Sequence, residues 1–229
     1  MILLFAVALA AAAPANAQSC PNLVTPDALV CHALADEKSG DHAAAAQAFE
    51  EAGKASSDKD PKTARMYAAA GNLWIAAEQP GKAAVDLDKA LSLPGLEAEQ
   101  RGEALLDRAR AAEAQDDLTT ARSRVNDAAQ TISNDPFLWY FSAALAIREK
   151  DSTTALMAIN KALALAPSDP TILFEAGHVA DMTGDEDMAR SYWMRAAGSD
   201  PSGTVGKAAA KAVEMLGVTP TVKGPTQPK

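Results

Sequence analysis

The sequence is short of the groups that most chemistry needs. No glycine-rich loop follows a strand pattern, there is no His-x-x-x-His pair, and no serine sits in a nucleophile elbow. The three histidines, His32, His42 and His178, are scattered along the chain. No catalytic, cofactor or metal site is therefore expected, and the chain does not read as an enzyme. Aromatic residues make up only 5% of the 229 residues, so large rings cannot be the main substance of the core. Basic runs are missing too: 21 Lys and Arg stand against 30 Asp and Glu, a formal net charge of -9. No cluster could neutralise several phosphates, which argues against nucleic acid and against an anionic lipid surface as main partner.

Long apolar runs are limited to the beginning. Ile2 to Ala13 is continuously apolar, Pro14 breaks it, and Ala15-Asn16-Ala17 is a small-x-small pattern ahead of Gln18. Twelve apolar residues are too few to span a bilayer, so residues 1–17 read as an export signal cleaved after Ala17. The Lys or Arg usual ahead of such a run is missing. The Ser19-Cys20 junction lacks the apolar residue of a lipidation site, which argues against a lipid anchor. Cys20 and Cys31 are the only cysteines, and in an oxidising compartment they are expected to pair. Such a small loop would stabilise by roughly 2–3 kcal/mol at most. The expected location is the periplasm, with no stable membrane insertion once the signal is removed.

What the chain does have is alanine, the best helix former, and a period. Between Pro136 and Ser202 two copies of one pattern stand thirty-four residues apart. Trp139 answers to Leu173, Ala143 to Gly177, Ala146 to Ala180, Ala155 to Ala189, Ile159 to Trp193, Ala162 to Ala196 and Pro167 to Pro201. Each copy is a helical run, a polar turn, a second helical run and a proline. A helix pair of this length cannot bury its apolar faces alone, so repetition implies a stack.

The same template fits upstream with looser spacing, giving expected repeats at about 26–63, 64–101, 102–135, 136–169 and 170–203. The first two intervals carry four extra residues each, expected to lengthen a loop or add a helical turn. Asp135-Pro136, Asp169-Pro170, Asp60-Pro61 and Asp200-Pro201 each offer an N-cap acceptor before a proline at the first helical position. Residues 204–217 carry Val205, Ala209, Ala212, Val213 and Leu216 on one face and read as a capping helix. Residues 18–25 precede the first repeat, and the proline-bearing stretch 218–229 has no periodic face and reads as a disordered tail.

The period, the turn and the small-residue spacing together resemble the tetratricopeptide repeat (TPR). Ala176-Gly177, Ala180, Gly184-Asp185, Ala189, Trp193, Ala196 and Pro201 carry the pattern most fully. The third copy departs from it, with Arg108 at a position where leucine or alanine is usual. The resemblance implies an all-α fold, a right-handed superhelical α-solenoid of about five hairpins plus the C-terminal cap. It also implies a concave groove, lined by the first helix of each repeat, that holds a peptide or another protein. In that register the second, fifth, ninth and twelfth residues of each repeat face the groove, among them Asn72, Leu106, Arg110, Phe137, Tyr140, Ile147, Phe174 and His178. Asn72 matches a position that some members use to hold a bound backbone. Phe137, Tyr140, Phe141 and Phe174 are half of the chain's Phe and Tyr residues, and Arg110 and Arg148 are expected to orient the backbone or acidic groups of a partner. The expected partner is another protein or peptide of the bacterial cell envelope. The alternative is a structural or assembly subunit of a larger envelope complex.

Overall fold

A computed structural model describes residues 20–216. The expected signal over 1–17, its cleavage point and the tail at 218–229 lie outside the described residues. Within them the chain is helical throughout, with eleven helices and no strand. They are α1 (Pro26–Ser39), α2 (His42–Ala55), α3 (Pro61–Ala76), α4 (Pro80–Ser92), α5 (Ala98–Ala114), α6 (Leu118–Ala128), α7 (Pro136–Glu149), α8 (Ser152–Leu165), α9 (Pro170–Met182), α10 (Glu186–Ser199) and α11 (Thr204–Leu216). Consecutive helices pair into five hairpins, and the hairpins stack into an α-solenoid that α11 closes.

The packing follows from side-chain size at a few repeated positions. Where the two helices of a hairpin cross, the residue is small: Gly71, Gly177, or one of the fully buried alanines Ala33, Ala109 and Ala143. A Cβ on Gly71 would stand 2.4 Å from Leu87, and one on Gly177 would stand 2.2 Å from the Trp193 indole nitrogen. Each second helix then buries a pair of alanines seven residues apart completely, from Ala45 and Ala52 in α2 to Ala189 and Ala196 in α10. Between them lies the one large apolar residue that each second helix buries: Phe49, Leu87, Val125, Ile159 or Trp193. The small residues let the helices approach, and the large one fills the space between hairpins.

Every hairpin turns the same way. Gly40, Glu78, Asp116, Lys150 and Gly184 all have φ between 57° and 83°, the left-handed region. The N–H of the residue after each bonds back to the helix, as Asp41 does to the Asp36 carbonyl and Asp151 to that of Ala146, both at 2.9 Å. Asp41, Asp117, Asp151 and Asp185 then cap the following helix by accepting from its backbone. Gln79 occupies that place before α4 and makes no such bond.

Two of the first helices begin earlier than the template positions 64 and 102. α3 opens at Pro61, capped by Asp60, and α5 opens at Ala98 behind a capping box of Glu97 and Gln100. The extra residues thus become an added turn at the front of a helix, and the register of the buried positions is kept. Asp200 departs from its expected role. It ends α10 instead of starting a helix at Pro201, and its carboxylate accepts at 3.1 Å from the N–H of Gly203, the residue just ahead of α11. Arg108, the anomaly of the third repeat, reaches across to Asp88 on α4 at 2.9 Å, so its charge is matched.

The two ends are fastened differently. Cys20 and Cys31 form a disulfide, Cα atoms 5.6 Å apart, and the His32 imidazole hydrogen-bonds the Pro21 carbonyl at 3.1 Å. At the other end Ala209, Ala212, Val213 and Leu216 of α11 cover Leu173, Ala180 and Trp193. First helices of neighbouring repeats touch one another directly, α3 with α5, α7 with α9, and α9 with the cap. Second helices make no comparable contact with the next second helix. The first helices therefore form the inner, concave layer.

Candidate functional site

A pocket of about 480 Å³ opens on that inner layer between α3, α5 and the start of α7. The three helices present their faces because the buried crossing residues Gly71, Ala109 and Ala143 fix their rotation. Asn72, Leu106, Arg110 and Phe137, four of the residues expected at a groove, line this one pocket. Phe137 is 41% exposed, a large ring held open to solvent by its place in the first turn of α7. Asp135 caps that turn, its carboxylate accepting from the Phe137 N–H at 2.8 Å.

The polar groups are joined to one another. Asn72 donates its amide to Asp107 at 2.7 Å, and Arg110 donates to the other oxygen of Asp107 at 2.8 Å. The Arg110 guanidinium also lies over the Phe137 ring, 5.6 Å from its centre. Arg65, on the pocket wall, donates to the Gly95 carbonyl at 3.4 Å and lies 3.8 Å from Glu97. Glu103 has no partner among the described residues. Partial desolvation, followed by the charges of Glu99, Asp107 and Asp135, raises its carboxyl above the usual range.

The remaining expected residues lie elsewhere or are otherwise engaged. Leu106 forms the pocket floor but is only 4% exposed and belongs to the apolar core, so it presents little side chain to a partner. Arg148 does not project into the groove as a free cation. It bonds the Glu113 carbonyl and carboxylate and reaches Asp116 at 2.7 Å, tying repeat four to the turn of repeat three. Ile147 packs partly buried against the core of repeats four and five. Tyr140 is partly buried between two core clusters, its ring 5.5 Å from that of Phe137, and Phe141 is buried. Burial and then the nearby Glu175 push the Tyr140 hydroxyl upward.

One repeat further on, Phe174, His178 and Trp193 form a file of edge-to-face rings. The Phe174–His178 centres are 4.6 Å apart and the His178–Trp193 centres 5.3 Å. The Trp193 indole donates to the Phe174 carbonyl at 3.0 Å. Burial lowers the His178 pKa, against a smaller opposing pull from Asp181. Phe174 and His178 thus take part in the packing of repeat five.

Several charged groups of weight were not visible in the repeat pattern. Glu175 has no partner among the described residues, and burial alone raises its pKa to about 7. Asp107 occupies the sixth position of its repeat, outside the four groove positions. Its spacing of three from Arg110 on one helix was the signal for it. Arg122 on α6 grips Glu149 through two nitrogens, at 3.0 and 2.6 Å, and donates to the buried Ser142 hydroxyl at 2.9 Å and to its carbonyl at 3.2 Å. Repeats three and four are joined by this arginine, from α6 to α7, and by Arg148, from α7 to the end of α5. Trp74 donates to buried Asp86 at 3.0 Å. Burial and Glu50 raise that carboxyl to about 6, although the indole bond pulls it back. Among the described residues no cluster of His, Cys, Asp or Glu could hold a metal ion, and no helix is long and apolar enough to cross a membrane.

Solved structures share this architecture. The MamA protein is similar with a TM-score of 0.62 and 18% identity, over 77% of this chain and 92% of that one. PilW, described as a widely conserved type IV pilus biogenesis factor, gives a TM-score of 0.68 at 15% identity, over 81% and 82%. YrrB, described as a TPR protein with an unusual peptide-binding site, gives 0.59 at 17% identity, over 80% and 91%. At such identities the likeness is one of fold: the chain has the tetratricopeptide-repeat fold. No protein-family model matches the sequence, and no curated protein matches it.

Proposed function

We propose that this protein is a non-enzymatic scaffold of the bacterial cell envelope that holds a segment of another protein in the groove of its first helices. The observation that carries the reading is Phe137, exposed at the mouth of the pocket between α3, α5 and α7 while Asn72 and Arg110 flank it. An exposed ring beside fixed hydrogen-bonding groups supplies an apolar anchor and a means of setting direction. The periplasmic setting, with cleavage after Ala17, is supported by the apolar lead and by the Cys20–Cys31 disulfide, which an oxidising compartment favours. YrrB, whose description names a peptide-binding site, and PilW, described as a pilus biogenesis factor, are of the same fold and agree with a binding role in the envelope.

One observation favours a second reading, a structural or assembly subunit of a larger envelope complex. Leu156, Met157 and Leu165 on α8 and Met188 and Met194 on α10 are exposed on the outer layer. The two readings separate in a pull-down from envelope extract with the exported chain as bait. On the groove reading the paired change Asn72→Ala, Phe137→Ala lowers retention of a specific protein by at least about tenfold with the fold intact. Retention that survives this change and is lost with Met157→Asp and Met194→Asp would assign binding to the outer layer instead.

A further inference from the structure

The cations of the concave layer are already matched by the protein itself. Arg110 is held by Asp107 at 2.8 Å, Arg65 lies 3.8 Å from Glu97, and Arg148 is held by Glu113 and Asp116. A carboxylate arriving from a partner would have to draw a guanidinium out of a pair it already makes, so little net attraction is gained. The acids are in surplus. On the pocket wall Glu103, Asp107 and Asp135 face only Arg65 and Arg110, and Glu103 has no partner among the described residues. Further along the inner layer Asp181 on α9 also makes no ion pair among the described residues. A cation entering beside Glu103 relieves repulsion among acids instead of breaking a pair.

The same wall offers a ring. Phe137 is 41% exposed, and one of its faces already has the Arg110 guanidinium over it. A long basic side chain is suited to such a place, since its methylenes lie along an aromatic ring while its charged end reaches a carboxylate. The formal charge of -9 on the whole chain draws a basic segment toward the protein from a distance.

We propose that the groove selects a partner segment bearing Lys or Arg, with one basic side chain entering the pocket that Glu103 and Phe137 both line. The assignment rests on the groove being the binding face, and it reverses the sign that the arginine positions alone suggest.

The test uses the full chain and three fluorescein-labelled dodecapeptides that share one apolar frame and carry three Lys, three Gln or three Glu. Fluorescence anisotropy is expected to rank them Lys over Gln over Glu, with the Lys peptide at least about tenfold tighter than the Glu peptide and weakening as salt is raised. Glu103→Gln is expected to weaken the Lys peptide by at least about threefold while leaving the Gln peptide and the melting temperature unchanged. Glu186→Gln, on a second helix, is expected to change nothing. A Glu peptide that binds more tightly than the Lys peptide, or equal losses from Glu103→Gln and Glu186→Gln, would overturn the cation preference. If all three peptides bind alike and Phe137→Ala abolishes them, the groove stands and only the preference falls. If no peptide binds, or Phe137→Ala alters none of them, the groove reading itself falls and the preference with it.

Discussion

Arg110 donates to Asp107 at 2.8 Å, one turn back on the same helix, and that bond decides the sign of the groove. Asn72, thirty-five residues earlier, donates to the second oxygen of the same carboxylate, so three side chains from two repeats form one unit. Removing the carboxylate should release both. Asp107→Ala is expected to destabilise by roughly 1–2 kcal/mol through the lost bridge between α3 and α5, as urea unfolding would show. It should also lower the affinity of a basic segment, because Arg110 becomes a free cation in the pocket.

Gly177 is occupied, in effect, by the indole of Trp193. With the Cβ position 2.2 Å from the indole nitrogen, Gly177→Leu should cost roughly 1–3 kcal/mol by overpacking, read as a lower urea midpoint at unchanged slope. An unchanged midpoint would mean that the two helices can separate freely.

Lys150 stands in the left-handed region with φ 59°, where Gly40 and Gly184 stand in the first and last repeats. Lys150→Gly relieves the Cβ penalty but loosens the unfolded chain, for a net gain of about 0.5–1 kcal/mol. Thermal unfolding should show a rise in melting temperature.

Glu175 gives the pH dependence a definite direction. Its folded pKa of about 7 lies above the ordinary glutamate value of 4.5, so the folded state holds the proton more tightly. Its stabilising contribution is complete below about pH 4.5 and is lost as pH rises through about 7. Glu175→Gln should therefore leave the melting temperature unchanged at pH 4 and raise it at pH 8, by the equivalent of on the order of 2 kcal/mol. A rise at pH 4 with none at pH 8 would contradict the assignment.

The repeat architecture was legible because geometry leaves few choices. Only alanine or glycine fits where helices cross, and only a left-handed residue closes the hairpin, so Ala143, Gly177, Gly40 and Gly184 announce their places in the chain. The added turns before α3 and α5 were less visible, since Pro61 and Ala98 open helices ahead of the template without altering the buried register. Ion pairing between repeats was not legible. Arg148 meets Glu113 thirty-five residues away because the superhelix brings two repeats together, and nothing in the local sequence chooses that partner over a ligand. The aromatic residues divide for a similar reason. Phe137 is open and Phe141 is buried four residues on, which depends on how far α7 rotates against α5 and α9.

Site-specific photocrosslinking tests the binding face most directly. A benzoylphenylalanine placed at Phe137 and, in a separate variant, at Met157 would be irradiated in cells that produce the full chain. The groove account predicts a defined crosslinked partner from position 137, suppressed by excess Lys-bearing peptide, and none from position 157. A partner captured from position 157 and absent from position 137 would contradict it.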